Sequence, residues 1–467
     1  MIIKIGKERG DVVGFTMHLL DYKNNMKKVL IVSEYFAPTQ AIASNRWSKI
    51  AYYLKKNHDV SIDVLTIRRN YTHKESFMGY SLKDTTLKKE TASVDNYIVI
   101  DYNCFVVFIA LIVDFIKTRI LKTNNSYKYN EGGVKYVNKN NINFISNLRD
   151  NLEVFLLNYT RYLDGVKCIK KSVHKYDYVI TTYGPYWPNM VGHYIKKRNK
   201  NIIWMADFRD YCYRESDTII QKLFNKIYLK SVCKTSDIVS EVLEGMDVEK
   251  FSKTKCVVVS NGYDPTDKKE CIQPNKFTFL YTGTYYKEDD VTPLFEAIKE
   301  LIDTHSLAVD DLEFMCAGNG ADEYREVAKE FDLDQYVTAL GHISREEAMR
   351  LQRQSAMLIQ LGWNTPNEHM LWTGKTYEYM LAQKPIIYIL NGCVKGSLIS
   401  SNINKLGGVC YEAANKDKDI VKLKSYIIEK YNEWKKTGVI SIDREEEYIS
   451  QFSYPYISEF VWKNLNK

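Results

Sequence analysis

Short, continuous runs of apolar and β-branched residues alternate with helical stretches along most of the chain, and this alternation restricts the fold more than any other feature. The segments "KKVLIVSEYF", "SIDVLTI", "NYIVIDY", "YDYVITTYG", "IIWMADF", "DIVSEV" and "CVVVSNG" read as strands. A helix is predicted over about 41–56, and helical segments lie between most of the later strands. Continuous apolar runs, unlike alternating ones, mark strands covered on both faces. Strands alternating with helices mark a parallel sheet. The pattern restarts after the polar stretch 265–276, read as an interdomain linker, with "FTFLYTGTYY", "LEFMCAGNG", "VTALGHI", "AMLIQLGW", "PIIYIL" and "GGVCYEA". At 467 residues the chain is too long for one ordinary core. The expectation is an α/β chain of two Rossmann-like, doubly wound parallel-sheet domains, at 26–268 and 276–440, facing across a cleft. Residues 441–467 read as helices that cross back onto the first domain.

Two segments fall outside this pattern. Residues 1–25 show little periodicity, and Met26 is expected to be the start, with 1–25 a non-core extension. An insert over about 103–150 interrupts the first domain. Its "CFVVFIALIVDFI" holds Asp114 and is shorter than the roughly 20 residues of a membrane span, so it reads either as a buried core helix or as a membrane-facing one. Residues 117–150 are rich in Lys and Asn and are expected to form a mobile loop.

Composition narrows the functional classes. A charged fraction of 26% beside 45% apolar residues argues for a packed chain. The net charge of +7 is dispersed, without the dense basic stripe of a nucleic-acid binder. It suits phosphate-bearing substrates or peripheral contact with an anionic membrane, and equally a Lys-rich coding bias. Nine Cys without a C-x-x-C pair argue against a disulfide framework or a zinc site and fit a reducing cytoplasm.

The segment "LWTGKTYEYMLAQKPIIYIL" carries the most chemistry. Thr373 and Gly374 lie where a loop turns into a helix, presenting backbone N–H groups and the positive end of a helix dipole, which suit a diphosphate. Lys375 adds a cation. Glu378, three residues on, shares its face and can accept two hydrogen bonds from a ribose diol. The same residues also read as a capped surface helix with a Lys–Glu pair. Gly283 with Thr284, Gly318 with Gly320, and Gly341 with His342 punctuate strand ends of the same domain, where backbone can approach a ligand closely. In the first domain, Asn45 and Arg46 are expected on the exposed side of the first helix. "TTYGPYWPN" offers Tyr183, Tyr186 and Trp187 as exposed aromatics for stacking on an acceptor sugar. "ADFRDY" places Asp207, Arg209 and Asp210 at a strand end, as a catalytic acid–base group or as a structural ion cluster. The string "DLD" at 332–334 lies in a connection and is not expected to hold metal.

In their order, "VLIVSEYFAPTQAIASNRWSKIAYYL", "MADFRDY", "VVVSNGYD", "FLYTGTYY", "FMCAGNG", "ALGHI" and "TGKTYEYMLAQKPII" resemble the family 4 glycosyltransferases, in particular the bacterial branch that assembles surface polysaccharide and lipopolysaccharide. The resemblance implies a GT-B fold, a nucleotide diphosphate-sugar donor in the second domain, and a glycan or lipid-linked acceptor in the first. It implies retention of configuration without a metal or other cofactor. By motif position it makes Glu378 the ribose ligand and Thr373, Gly374 and Lys375 the phosphate loop, with Gly341, His342 and Ile343 beside the base. It also implies that the loop "PTQAIASNR" reaches the diphosphate-sugar, with Arg46 sharing its charge.

The chain departs from that pattern in three places. Ala41, Ala43 and Ser44 stand where paired Gly is usual. The carboxylate expected with seven residues between it and Glu378 is replaced by Met370, with Glu368 out of register. The basic pair after the "TGT" turn is reduced to Lys287. These departures leave open a non-catalytic subunit that binds a nucleotide-sugar, and the same fold also allows an epimerase.

Overall fold

The computed structural model describes residues 26–467 apart from 40, 69–82, 102–143, 213–216, 244–245, 247, 253, 287–288 and 366–371, and apart from the side chains of 42, 144–153 and 249. The 1–25 extension, most of the 103–150 insert, Lys287, Glu368 and Met370 therefore lie outside the described residues. The chain divides into two compact units, one running to Ser260 and including Ser458–Lys467, the other Asn261–Ile457.

The first unit contains β1 (Lys27–Val32), α1 (Ile42–Asn57), β2 (Val60–Ile67), α2 (Lys88–Ser93), β3 (Asn96–Ile100), α3 (Phe144–Ile169), β4 (Tyr178–Tyr183), α4 (Trp187–Arg198), β5 (Ile203–Phe208), α5 (Ile219–Thr235), β6 (Ile238–Glu241) and β7 (Lys255–Val258). Its strands form one sheet in the order β3-β2-β1-β4-β5-β6-β7. Every pairing is parallel, with Val29 opposite both Ile62 and Tyr178. All six residues of β4 and the last four of β1 are buried, as covered parallel strands require.

The second unit contains β8 (Phe277–Thr282), α6 (Thr292–Asp303), β9 (Leu312–Ala317), α7 (Ala321–Lys329), β10 (Val337–Gly341), α8 (Arg345–Gln354), β11 (Met357–Asn364), α9 (Gly374–Ala382), β12 (Ile386–Gly392), α10 (Leu398–Asn402), β13 (Gly408–Glu412), α11 (Lys416–Thr437) and α12 (Glu446–Ser450). Its parallel sheet runs β10-β9-β8-β11-β12-β13. Phe277, Phe279, Phe295 and Phe314 centre the core on one face, and Tyr377, Tyr379 and Tyr388 pack the other. The polar stretch read as a linker belongs to this unit: Ile272 N donates to Arg353 O and Lys384 Nζ to Ile272 O. Bonds to the Ile272 backbone, invisible in composition, tie it down. The final helix, α13 (Tyr454–Leu465), joins the first unit from Ser458 onward, where Glu459 pairs with His58 and Trp462 stacks on the His58 ring.

Both sheets reverse their winding once, between β1 and β4 and between β8 and β11. Ligands of open parallel sheets bind outside the strand carboxyl ends at such a switch point. One internal interaction fixes this edge of the first unit. Arg46, expected at the surface, is 3% exposed and forks both Asp207 oxygens, at 2.7 and 2.8 Å. Trp47 Nε1 and Ser240 Oγ donate to the same carboxylate, and Arg46 also reaches Val259 O. A buried guanidinium needs such partners, because the dry alternative is an unpaired charge. Asp207→Ala should therefore cost about 3–5 kcal/mol of stability by urea unfolding followed through tryptophan fluorescence. A loss below about 1 kcal/mol would remove the pair from this role.

Candidate functional site

In the second unit the residues after β8, β9 and β11 converge at the switch point. Gly283 N donates to Ala317 O at 2.7 Å, and Gly318 N to Gly341 O at 2.6 Å, so the three glycine turns are stitched side by side. Gly283 and Gly318 have φ of +128° and +136°, a region closed to most side chains. A Cβ on Gly318 would run into the Gly283 carbonyl, and one on Gly283 into Cε and Nζ of Lys375. Gly283 is thus the space in which the lysine lies.

Lys375 stands on the first turn of α9. Its Nζ donates to Tyr281 Oη at 3.0 Å and sits 4.4 Å from the centre of that ring. Tyr281 Oη in turn donates to Thr284 O at 2.7 Å. Burial pushes the Tyr281 phenol well above its usual range, so it remains neutral and acts as a fixed dipole. Burial pulls the Lys375 ammonium down to about 8, against the opposing pull of Asp289, Cys316 and Glu378. Among the described residues no carboxylate forms an ion pair with it. Thr373 caps α9 in extended backbone without a side-chain cap bond. The N–H groups of Gly374 and Lys375 find no acceptor among the described residues, as at the first turn of any helix.

Glu378 lies one turn further along. Arg345 Nε donates to its Oε1 at 3.0 Å, and Gln352 Nε2 approaches Oε2 at 3.5 Å. Gln352 also donates to Thr282 Oγ1, which pairs with Tyr379 Oη, so the carboxylate is tied back to β8. His342 is exposed and Ile343 half-buried beside the start of α8. The sequence reading missed Tyr281, Arg345 and Gln352. Tyr281 stands two residues before the flagged Gly283, and Arg345 three residues after His342, which was the available signal.

The first unit treats its candidates differently. Asp207 is fully buried in the Arg46 network, so the expected group of Asp207, Arg209 and Asp210 is split. Arg209 and Asp210 remain at the edge, paired at 3.1 Å, with the guanidinium 5.1 Å from the Tyr35 ring and bonded to Gly184 O. The expectation of exposed aromatics fails at Trp187 and Tyr183, which are 0% and 8% exposed. Trp187 opens α4 facing the core, and its indole donates at 2.6 Å to the buried carboxylate of Glu34, which Arg161 neutralises. Tyr183 packs on Phe208 and Tyr228, while Tyr186 is half-buried and bonded to Asn225. An indole N–H needs an acceptor when buried, and Glu34 supplies it.

No family model matches the chain, and no curated protein is similar to it. Solved structures are. A sucrose-phosphate synthase from Thermosynechococcus elongatus aligns with TM-score 0.53 and 12% identity over 94% of this chain and 98% of that one. TarM of S. aureus, in complex with fondaparinux, alpha-GlcNAc-glycerol and UDP, aligns with TM-score 0.51 and 13% identity over 94% and 99%. An E. coli trehalose-6-phosphate structure bound with UDP-2-fluoro glucose aligns with TM-score 0.53 and 11% identity over 94% and 99%. The fold is GT-B. At these identities the likeness establishes the two-domain Rossmann-like fold alone.

Among the described residues no three His, Cys, Asp or Glu side chains gather as a metal cluster, and no helix is long and apolar enough to cross a membrane. The cationic niche has a pH signature. The lysine is charged below about 8 and neutral above it. Pyrophosphate should raise the melting temperature clearly at pH 7 and much less at pH 9.5, and Lys375→Met should abolish the difference. An unchanged pH dependence in that variant would place the anion elsewhere.

Proposed function

We propose that the chain is a retaining glycosyltransferase of the family 4 kind, taking a sugar from a nucleotide diphosphate-sugar to a glycan or lipid-linked acceptor in cell-surface polysaccharide assembly. It acts in the cytoplasm, at the inner face of the membrane. The observation that carries the reading is the Lys375 ammonium, which lies in the space left by Gly283 at the switch point, beside a helix start whose first N–H groups find no acceptor among the described residues. Structures of the same fold hold UDP and UDP-2-fluoro glucose, which supports a donor of that class.

In this reading the bond between the sugar's anomeric carbon and the diphosphate oxygen breaks, and the electron pair leaves with the diphosphate. Lys375 and the amides of Gly374 and Lys375 meet that charge. Donors fixed in advance need no reorganisation as the charge develops. Glu378 accepts from the ribose hydroxyls, Thr373 and Thr284 line the phosphates, and backbone of Gly341, His342 and Ile343 reads the base. The acceptor oxygen bonds to the anomeric carbon on the face the diphosphate leaves, and its proton passes to a diphosphate oxygen. Arg209 and Asp210 orient the acceptor. Arg46 and Asp207, being buried together, position the loops around them and do not touch substrate.

A thermal-shift screen of nucleoside diphosphates and nucleotide sugars identifies the donor, because a ligand selective for the folded state stabilises it. With that donor, Lys375→Ala should lower kcat about 10²-fold. Glu378→Ala should raise the donor KM roughly tenfold with little change in kcat. Near-normal kcat at saturating donor in the first variant would remove Lys375 from the chemistry. An epimerised sugar formed from donor alone would replace transfer with epimerisation.

A further inference from the structure

The first unit carries an exposed apolar face that its own core does not use. On α5, Ile219, Leu223 and Ile227 are 86%, 60% and 61% exposed and recur every four residues, so they form one row along the helix. On α3, Phe155, Tyr159 and Leu163 form a second exposed row at the same spacing. Phe155 meets Phe224 of α5 edge to face at 5.7 Å, so the rows adjoin. Scattered exposed apolar residues are ordinary, but two adjoining rows on neighbouring helices are a patch of the kind that marks an interaction surface.

Charge selects the partner. α5 contains Lys222, Lys226, Lys230 and Lys234 and no acidic residue. At 100° per residue, Lys226 and Lys230 fall on the same arc as Ile219, Leu223 and Ile227. Both lysines are exposed. Lysine stems lie along apolar surface while their ammonium groups reach outward. An isologous contact between two copies would bring this lysine row against its own like charges. Anionic headgroups above an acyl region satisfy the apolar rows and the lysines together.

We propose that the α3/α5 face of the first unit docks on the surface of an anionic lipid bilayer, with Ile219, Leu223 and Ile227 entering the headgroup boundary and Lys226 and Lys230 meeting lipid phosphates. The inference rests on the proposed placement at the inner face of the membrane and names the surface that makes it, while vesicle binding, read without nucleotide, is separate from the donor chemistry.

Flotation of the full chain with vesicles of phosphatidylglycerol and phosphatidylcholine tests it, against vesicles of phosphatidylcholine alone. The chain should float with the anionic vesicles and remain at the bottom with the neutral ones. Leu223→Ser with Ile227→Ser, and separately Lys226→Glu with Lys230→Glu, should each weaken partition on the order of tenfold. The nucleotide-induced thermal shift should be unchanged in both. If the serine pair fails to fold, the exposed lysine pair decides. No flotation of the wild type, or wild-type partition in the lysine pair, overturns the proposal. So does a dimer in light scattering that the serine pair dissolves while vesicles bind neither form. Vesicle binding lost on deletion of 104–116 but unaffected by either α5 pair also overturns it.

Discussion

In a parallel sheet every connection must return from a strand's carboxyl end to the next strand's amino end, and two neighbouring strands whose connections leave on opposite faces cannot close the gap between their tips. That constraint governs each unit separately. In the second unit the pair is β8 and β11, so the turn after β8 and the helix after β11 face the same space. Gly283 and Lys375 are 92 residues apart in sequence but meet there because the strand order brings them together. The missing side chain at 283 and the long one at 375 are two halves of one feature. Neither would be informative without the other: a glycine at a strand end is common, and so is a lysine on a helix.

The first unit obeys the same constraint with the opposite electrostatic outcome. Glu34 follows β1 and Asp207 is the penultimate residue of β5, which places acids near the switch point. Both are locked inward, Glu34 by Arg161 and Trp187, Asp207 by Arg46, Trp47 and Ser240. Desolvation makes this arrangement all-or-none, since a buried carboxylate that loses one donor leaves a polar group unpaired in a dry interior. What remains at the edge is Arg209 beside Tyr35, with Asp210 outermost. The network therefore decides which charged groups a substrate could meet, without itself being accessible.

The layered fold was legible in the sequence because burial on both faces writes each strand as an unbroken apolar run. β8, β11 and β12 appear where "FTFLYT", "AMLIQLGW" and "PIIYIL" stand. The turn into α9 was legible for a similar local reason, since Thr-Gly-Lys before an apolar run marks a helix start. What could not be read were pairings made by topology. Arg46 and Asp207 are 161 residues apart, and Glu34 and Trp187 are 153 apart. No local pattern reports such distances, so Arg46 looked exposed and Trp187 looked available. The polar composition of 265–276 suggests a linker, but composition does not report that the backbone N–H and C=O of Ile272 are bonded to Arg353 and Lys384.

Glu378 shows how a partner that seems to occupy a functional group can instead prepare it. An ionised carboxylate offers about four lone-pair positions. Arg345 occupies one of them on Oε1, and Gln352 approaches Oε2 from the side of β8. Both partners come from α8 in the same unit, so the carboxylate is aimed before any ligand arrives. An unrestrained glutamate would lose rotamer freedom on binding, a cost of order 0.5–1.5 kcal/mol for such a side chain. Here the fold has already met that cost, and among the described residues the remaining lone pairs meet no further donor. The Arg345 guanidinium also lowers the repulsion a nearby diphosphate would feel from the carboxylate. One turn of helix can then hold an anionic hydrogen-bond acceptor, Glu378, close to a cation, Lys375, without the two working against each other.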